Sequence, residues 1–251
     1  MRVHSSSMVI IAIVMILSNF CVRGGAEALS SGSPAITSTV LTDSPPLVDV
    51  PVWSMATLNE DGDEKSKATT NMNLLTYATP VSIRPNRLYA LGLYKATKSR
   101  DNFLREKTCI LQLLSESNEK HIECVRLLGG TSGKDVSKEK DLTSVHGIEL
   151  QELARDDDTE PQEDLPKVLP GCVRYLKLSM VGGEVIDYDG GDSSHDVVIC
   201  KVEKMWTSST LTSDSGEATS GDCGNDYLST GTLRELGLIT EQGRIAPLPD
   251  E

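Results

Sequence analysis

The stretch Thr69–Phe103, TTNMNLLTYATPVSIRPNRLYALGLYKATKSRDNF, decides how we interpret the chain. Its first part, Thr69–Ala78, is rich in Thr, Asn and Tyr and predicts a strand. The apolar run Leu88–Tyr94 has the length of a second strand. Arg84-Pro85-Asn86 predicts a bend between the two. A helix is predicted to open at Ser99, so the stretch should run strand, bend, strand and helix.

The start of this helix has the chemistry of an anion-binding site. Lys95 and Lys98, together with the hydroxyls of Thr97 and Ser99, lie just before it or in its first turn. The free N–H groups and the positive dipole end of a helix N-terminus favour a phosphate. The same residues also fit an ordinary helix cap beside a solvated basic turn, so the pattern alone leaves both interpretations open.

Composition excludes some classes of function. The chain has 251 residues with 24 Lys and Arg against 37 Asp and Glu, a formal net charge of -13. Nucleic acid is therefore not expected as a partner, because phosphate contacts need clustered cations. Six cysteines are present, and none of them has the C-x-x-C spacing of a zinc site. Five of them follow the leader described next, and most of these five are expected to be buried small apolar residues: Cys109, Cys124, Cys172, Cys200 and Cys223.

The N-terminal region resembles a targeting sequence. Met1–Ala28 contains the ten-residue apolar run Met8–Leu17 and a small-x-small pattern at Ala26-Glu27-Ala28, as in a secretory signal peptide. The run is too short to span a bilayer, so no stable membrane anchor is expected. Residues 29–51 are rich in Ser, Thr and Pro and predict a linker or targeting tail. A leader with such a tail resembles the bipartite presequence of algae with complex plastids; the alternatives are the endomembrane lumen and secretion.

The folded part is expected at residues 52–239, followed by a polar tail at 240–251. Its strands and few short helices indicate a β-dominated fold, and no G-x-G-x-x-G follows a strand, which argues against a dinucleotide-binding Rossmann domain. The further strands are predicted at Val52–Leu58, Thr108–Leu114, within Leu169–Met180, and at Val185–Tyr188 and Val197–Trp206, with a helix-like closure at Tyr227–Ile239.

One further helix is predicted in the middle of the chain. Ser115 or Ser117 can cap it, and Gly129-Gly130 can end it. The loop Gly129–Asp135 (GGTSGKD) is similar to a phosphate loop, but Asp135 stands where that pattern needs Ser or Thr. We therefore interpret it as a polar surface loop.

Three polar motifs follow one another along the chain in an order that is typical of one family. They are Asn71-Met72-Asn73 through Thr79-Pro80-Val81-Ser82; Leu91-Gly92-Leu93-Tyr94-Lys95-x-Thr97-x-Ser99-x-x-Asn102-Phe103; and Gly191-Asp192-x-x-His195-Asp196-x-Val198-x-Cys200-x-Val202. Together they resemble the flavin reductase-like FMN-binding split-barrel family, which shows N-x-M-T-x-S…S, then K-x-S-x-T-x-x-N, then G-D-H and a strand ending G-E-V. The resemblance covers about Val52 to Ile239.

The chain departs from the family pattern at four places. Leu74 stands where the family has Thr, and the Ser and Thr of the second motif are exchanged at Thr97 and Ser99, which keeps both hydroxyls. Two serines separate Asp192 from His195, and Cys200-Lys201 replaces Gly-Glu. The last two departures bear on the nicotinamide side of the implied site and therefore on reductase activity.

The resemblance implies a six-stranded Greek-key split β-barrel that forms a homodimer with FMN at the subunit interface. It also implies hydride transfer from NAD(P)H to the flavin, with the cofactor supplying the redox chemistry. The flavin phosphate would be held by Lys95, Thr97, Ser99 and the helix start. The isoalloxazine ring would be lined by Asn71, Asn73, Thr76, Tyr77, Ala78 and Ser82. His195 would lie near flavin and nicotinamide and is the catalytic candidate.

Several alternatives stay open. Asn71 and Asn73 could serve turn or strand-edge hydrogen bonds, and a lone histidine such as His195 is often a structural hydrogen-bonding residue. At the level of function, the chain could be a non-catalytic FMN-binding or electron-carrier protein, a pyridoxamine-phosphate-oxidase-like barrel, or a secreted β-rich interaction domain without flavin. His121 and His146 are expected at the surface, and no metal site is predicted.

Overall fold

The computed structural model describes residues 48–60, 68–154, 164–183, 185–186, 193–207 and 226–247, all within the unit Ser44–Glu251. Several sequence-based expectations fall outside these residues. They concern the leader at 1–28, the tail up to residue 47, Gly191-Asp192, Cys223, and the last residues of the chain.

Seven antiparallel strands form a single sheet in the described part of the chain. They are β1 (Trp53–Leu58), β2 (Thr70–Leu75), β3 (Ala78–Ser82), β4 (Leu88–Tyr94), β5 (Thr108–Leu113), β6 (Arg174–Met180) and β7 (His195–Thr207), in the spatial order β2-β1-β5-β6-β7-β4-β3. The sheet curls until Trp53 of β1 lies edge-on to Tyr89 of β4, with ring centroids 6.2 Å apart, although three strands separate them in the sheet. The β-dominated half-barrel is as predicted, but it has seven strands rather than six.

Five helices are described: α1 (Lys98–Glu106), α2 (Glu119–Glu123), α3 (Val125–Gly130), α4 (Lys138–Ser144) and α5 (Thr230–Glu235). The single helix predicted after β5 is wrong, because the segment breaks at Cys124 into α2 and α3. The side chain that caps α2 is Asn118 rather than Ser115 or Ser117. The polar helix α4 was not predicted, and the strand expected at Val185–Tyr188 appears, within the described residues, only as an isolated bridge from Ile186 to Val197.

Alternation along the strands builds two apolar cores. In β1, Trp53 and Met55 face the inside of the barrel, whereas Ala56 faces the helices, because successive side chains of a strand point to opposite faces. The inner core also contains Leu91, Leu93, Phe103, Leu111, Leu178, Val198 and Cys200. The outer core packs Met72, Ile110, Leu114, Leu128, Leu142, Tyr175 and Leu233 between the sheet and α2 to α5.

The two edges of the sheet differ in how they are covered. At β2, the Thr70 N–H donates to the Glu139 carboxylate at 2.7 Å, and Lys167 pairs with the same carboxylate at 2.6 Å. The edge at β3 exposes Val81 (51%) and Ile83 (73%), and its Pro80 has no N–H to offer another strand. Proline on an edge strand opposes sheet extension, so β3 is a poor template for a further strand.

The described fold extends past residues 52 and 239. Val50 N–H donates to the Thr230 hydroxyl at 3.0 Å, and Pro51 forms a bridge with Ser229 at the start of α5. Near the C-terminus, the Ile245 side chain packs against Gly129 so closely that an added Cβ would lie 2.9 Å from it. Within the described residues, no helix is both long and apolar enough to cross a membrane.

The four described cysteines, Cys109, Cys124, Cys172 and Cys200, are free and buried, as expected. The expectation that His121 is exposed is wrong, because 1% of this residue is accessible. Its Nδ1 accepts the Ser115 N–H at 3.0 Å, which leaves the ring proton on Nε2 to be donated to the Pro170 carbonyl, also at 3.0 Å. Burial lowers the pKa of His121, so the neutral ring is a structural crosslink between α2 and the segment before β6.

Candidate functional site

The end of β4 leads directly into the cap of α1. Thr97 has extended backbone angles, its hydroxyl accepts the Arg100 N–H at 3.3 Å, and it donates to the Tyr94 carbonyl at 2.9 Å. The helix therefore begins at Lys98, one residue earlier than predicted, with Thr97 as its N-cap. Within the described chain, the N–H groups of Lys98 and Ser99 donate to no acceptor, as is usual in a first turn.

A buried polar network lies under this helix. The Asn71 amide donates to the Ser99 hydroxyl at 2.7 Å, and the Asn102 amide donates to the Thr57 hydroxyl at 3.2 Å. Asn71, Ser99, Asn102 and Thr57 are all nearly inaccessible, and we call these four residues the inner network. Gly133 covers it so closely that an added Cβ would lie 2.0 Å from Asn71 Oδ1. The inner network thus fastens β1 and β2 to α1.

A charged cluster surrounds the first turn of α1. Asp196 is buried, with 3% exposed, and its Oδ2 accepts from the Arg100 Nε at 2.7 Å. Its Oδ1 lies 3.8 Å from Lys95 Nζ. Asp101 pairs with Arg100 at 3.2 Å and with Lys134 at 2.9 Å. Burial alone would raise the pKa of Asp101, but hydrogen bonds from Lys134 and Arg100 outweigh it and the pKa is lowered. Among the described residues, the charged cluster has three cations and two carboxylates, a positive excess where the helix dipole is also positive.

Three aromatic rings meet beside the charged cluster, and we call them the ring group. His195 lies opposite Tyr94 in the β4–β7 register, with centroids 5.3 Å apart, and Tyr77 meets the imidazole edge-on, also at 5.3 Å. Tyr77 and Tyr94 are 56% and 49% exposed. The His195 Nδ1 lies 2.8 Å from the Ser194 hydroxyl. Partial burial lowers the pKa of His195, although the Asp196 charge opposes this effect.

The structure brings some of the predicted site residues together and separates others. Lys95, Thr97, Tyr77 and His195 meet at the start of α1, whereas Asn71 and Ser99 lie beneath it and bond to each other. The Asn73, Thr76 and Ala78 side chains are half-buried along β2 and the start of β3. The Asn73 amide donates to the adjacent Leu74 carbonyl at 3.1 Å.

Ser82 is the predicted residue that lies farthest from this place. It is paired with Leu88, at the opposite end of β4 from Tyr94, and its hydroxyl donates to the Arg84 carbonyl at 3.3 Å. Six residues along a strand correspond to about 20 Å. Cys200 and Lys201 are paired with Tyr89 and Leu88 at the same remote end. The departure from the family pattern at Cys200-Lys201 is therefore far from the ring group.

Sequence reasoning missed Arg100, Lys134 and Asp196 as parts of the site. Asp196 directly follows His195 and begins an alternation in which Asp196, Val198 and Cys200 are buried, so its carboxylate had to find a partner inside. Lys134 comes from the loop Gly129–Asp135, which was expected to be unrelated surface. No group of three or more His, Cys, Asp or Glu side chains in the described residues is arranged to hold a metal ion.

Comparison with known proteins identifies the fold. No family model matches the sequence, and no curated protein matches it. Among solved structures, flavoredoxin from Methanosarcina acetivorans is 11% identical with a TM-score of 0.51, covering 71% of this chain and 79% of its own. FMN-binding protein from Thermus thermophilus with bound 1-cyclohex-2-enone is 16% identical, with a TM-score of 0.48 and coverage of 84% and 88%. A second structure of this Thermus thermophilus protein, with bound p-hydroxybenzaldehyde, is 15% identical with a TM-score of 0.49, and the match covers 70% of this chain and 85% of that one.

Of these three matches, the one to flavoredoxin exceeds a TM-score of 0.5. At 11% identity it shows that the two chains share a fold. The resemblance noted from the three sequence motifs is thus confirmed for the architecture.

Proposed function

We propose that this protein is an FMN-binding oxidoreductase of the flavin reductase type, which takes hydride from NAD(P)H. The observation that carries the proposal is the meeting of Lys95, Thr97, Tyr77 and His195 at the start of α1. Lys95 and Thr97 come from the second motif, His195 from the third, and Tyr77 from within the span of the first, yet they lie together in the fold. A helix start, a cationic cluster and exposed planar rings suit a ligand that joins a phosphate to an aromatic ring system.

The residues of the start of α1 fit a flavin phosphate. The Lys98 and Ser99 N–H groups have no described acceptor, and Lys95 lies at the same turn with 27% of its side chain exposed. Thr97 orients this turn through its cap, and the positive excess of the charged cluster favours a dianion. In this proposal Ser99 contributes its backbone, because its hydroxyl is occupied by Asn71.

The ring group would bind the planar parts of the ligands. Tyr77 and Tyr94 offer half-exposed rings, and His195 offers a neutral imidazole at neutral pH because burial lowers its pKa. When bound, the flavin supplies the hydride-accepting chemistry. The chain itself binds, orients and shields the two rings, so the proposal requires no nucleophile or carboxylate pair.

We also propose that the protein acts as a homodimer, as the family resemblance implies. The exposed apolar side chains Val81 and Ile83 at the β3 edge support this proposal. Light scattering of the purified full chain should give twice the mass of one chain, and a monomer at micromolar concentration would contradict the proposal.

The experiment that tests the function is spectroscopic. Purified protein is mixed with FMN, its absorption band is recorded, and NADPH or NADH is then added in the absence of oxygen. A band shifted by binding and bleached by either nucleotide is the expected result. Bound flavin that neither nucleotide bleaches would instead favour an electron carrier. A protein that leaves the FMN spectrum unchanged at all concentrations would overturn the proposal.

A further inference from the structure

The position of Tyr77 depends on the absence of a side chain at Gly92. The Tyr77 carbonyl accepts a hydrogen bond from the Gly92 N–H at 2.8 Å, so the connection between β2 and β3 packs closely against β4. A Cβ at Gly92 would lie 3.0 Å from the Tyr77 Cβ, closer than such atoms normally approach. Gly92 and Tyr94 occupy the same face of β4, two residues apart. Both tyrosine rings are thereby brought to the imidazole that lies opposite Tyr94.

The contacts of His195 leave one ring nitrogen available. Nδ1 lies 2.8 Å from the Ser194 hydroxyl, and within the described residues Nε2 makes no hydrogen bond. If the hydroxyl donates to Nδ1, the neutral ring carries its proton on Nε2. The nearby charges are Asp196, the next residue on the same strand β7, Lys95 after β4, and Arg100 on α1. They pair with one another, so none of them needs His195 as a partner.

We propose that Tyr77 and Tyr94 are positioning residues for His195. They hold the imidazole between an edge-on ring and a tilted ring, so that Nε2 is turned toward a ligand and donates to a carbonyl oxygen. The proposed function supplies such oxygens on the isoalloxazine ring and on the carboxamide of a reduced nicotinamide, and we assign the carboxamide oxygen as the acceptor, which the KM for the nucleotide tests. The inference about the ligand therefore rests on the proposed function, whereas the inference about the imidazole does not.

The first part of the test uses the unliganded protein. Proton NMR of the full chain follows the imidazole C2 and C4 protons of His195, assigned by their loss in His195→Gln. Packing between two rings should shift these protons upfield by ring currents. Tyr94→Leu and Gly92→Ala should each move them toward the positions of an exposed histidine, whereas Tyr94→Phe should leave them in place. Val145→Ala, an exposed apolar change just after α4, is the matched control.

The second part measures NAD(P)H oxidation with FMN present. Tyr94→Leu and Gly92→Ala should raise the KM for the nucleotide about fivefold or more and change kcat less than about twofold, because ring orientation affects nucleotide binding. Tyr94→Phe keeps the aromatic ring and should therefore have the wild-type KM. An unchanged KM in Tyr94→Leu, or an equal rise in Tyr94→Phe, would overturn the positioning role.

The two proposals fail in different ways. If the wild-type protein does not oxidise NAD(P)H, the proposed function fails and the nicotinamide acceptor fails with it. The NMR shifts then still decide whether the tyrosines hold His195. If the wild type is active but neither Tyr94→Leu nor Gly92→Ala moves the His195 protons, the inference fails and the proposed function stands.

Discussion

The polar residues that the sequence groups around α1 fall into two physically different sets. In the inner network, Asn71 and Ser99 are nearly inaccessible and bond to each other. On the outer side, Lys95 and the ring group are partly exposed and face solvent. Both sets draw on the same motifs, since Asn71 and Tyr77 lie within the first and Ser99 and Lys95 within the second. Accessibility, which a motif does not state, separates the residues that support the site from those that can touch a ligand.

The two informative histidines repeat this contrast. His121 is enclosed, with Nδ1 accepting from Ser115 and Nε2 donating to Pro170. His195 has Nδ1 at the Ser194 hydroxyl, and its Nε2 has no partner within the described chain. Burial lowers the pKa of both rings. The enclosed histidine crosslinks the fold, and the other leaves Nε2 without a hydrogen bond within the described residues, as the proposed ligand contact requires.

The largest expected effect comes from removing a member of the inner network. Asn71→Ala should lower the free energy of unfolding by about 3 kcal/mol, because it leaves the buried Ser99 hydroxyl unpaired and opens a cavity. Asn73→Ala, on the same strand, is the control. Within the described residues its amide donates only to the adjacent Leu74 carbonyl, and a loss of about 0.5 kcal/mol is expected. Urea denaturation measures both. Equal decreases in the free energy of unfolding in the two variants would contradict the distinction between inner and outer residues.

The sequence specified the strands well wherever an apolar run of strand length was bounded by polar residues. Leu88–Tyr94 is observed as predicted, and β1 and β5 differ from their predicted bounds by one residue. Prediction failed where the local signal was polar or broken by proline. β3 carries Pro80 and is exposed, and α4 has the polar sequence KEKDLTS with Leu142 as its buried apolar residue.

Several residues of the candidate site could be predicted from the sequence, but their burial could not. The start of α1, to within one residue, and the basic residues around it could be predicted from local spacing, because capping is a local interaction. The burial of Asn71 depends on Gly133, 62 positions later in the chain, and the partner of Asp196 depends on how β7 meets α1. Such pairings are set by tertiary packing, which single-sequence periodicity does not contain.

An intermediate effect is expected in the charged cluster. Asp196→Asn should cost about 2 kcal/mol, because it removes the buried partner of the Arg100 guanidinium. The loss stays below that of a fully buried pair, since Arg100 keeps 28% of its side chain exposed and can reach water. A double-mutant cycle with Arg100→Gln should show coupling of about 1 kcal/mol or more. Strict additivity would mean that the ion pair does not join β7 to α1.

A smaller effect is expected at the helix cap. Thr97→Ala should destabilise the protein by about 1 kcal/mol, because the Arg100 N–H loses its side-chain acceptor. Thr97→Ser keeps the hydroxyl and should stay within about 0.3 kcal/mol of the wild type. Thermal unfolding followed by circular dichroism distinguishes the two. A loss in the Ser variant equal to that in the Ala variant would assign the effect to the methyl group instead.

The pH dependence of stability sharpens the comparison of the two histidines. Because burial lowers the pKa of His121 in the folded state, the unfolded chain binds more protons below about pH 6.5. The stability contributed by the neutral ring is complete above that pH and falls as pH drops toward the folded pKa. His121→Gln should flatten the unfolding free energy between pH 8 and pH 5 more than His195→Gln does. A greater flattening in His195→Gln would contradict the assignment of roles.

The central claim is that the outer residues bind a flavin phosphate while the inner network only supports them. The direct measurement is a fluorescence titration of the full chain with FMN and with riboflavin, which lacks the phosphate. Lys95→Gln is compared with Lys140→Gln, an exposed lysine on α4. We predict that Lys95→Gln weakens FMN about fivefold or more and leaves riboflavin unchanged, while Lys140→Gln changes neither affinity. Equal weakening of FMN and riboflavin, or no FMN binding by the wild type, would contradict the account.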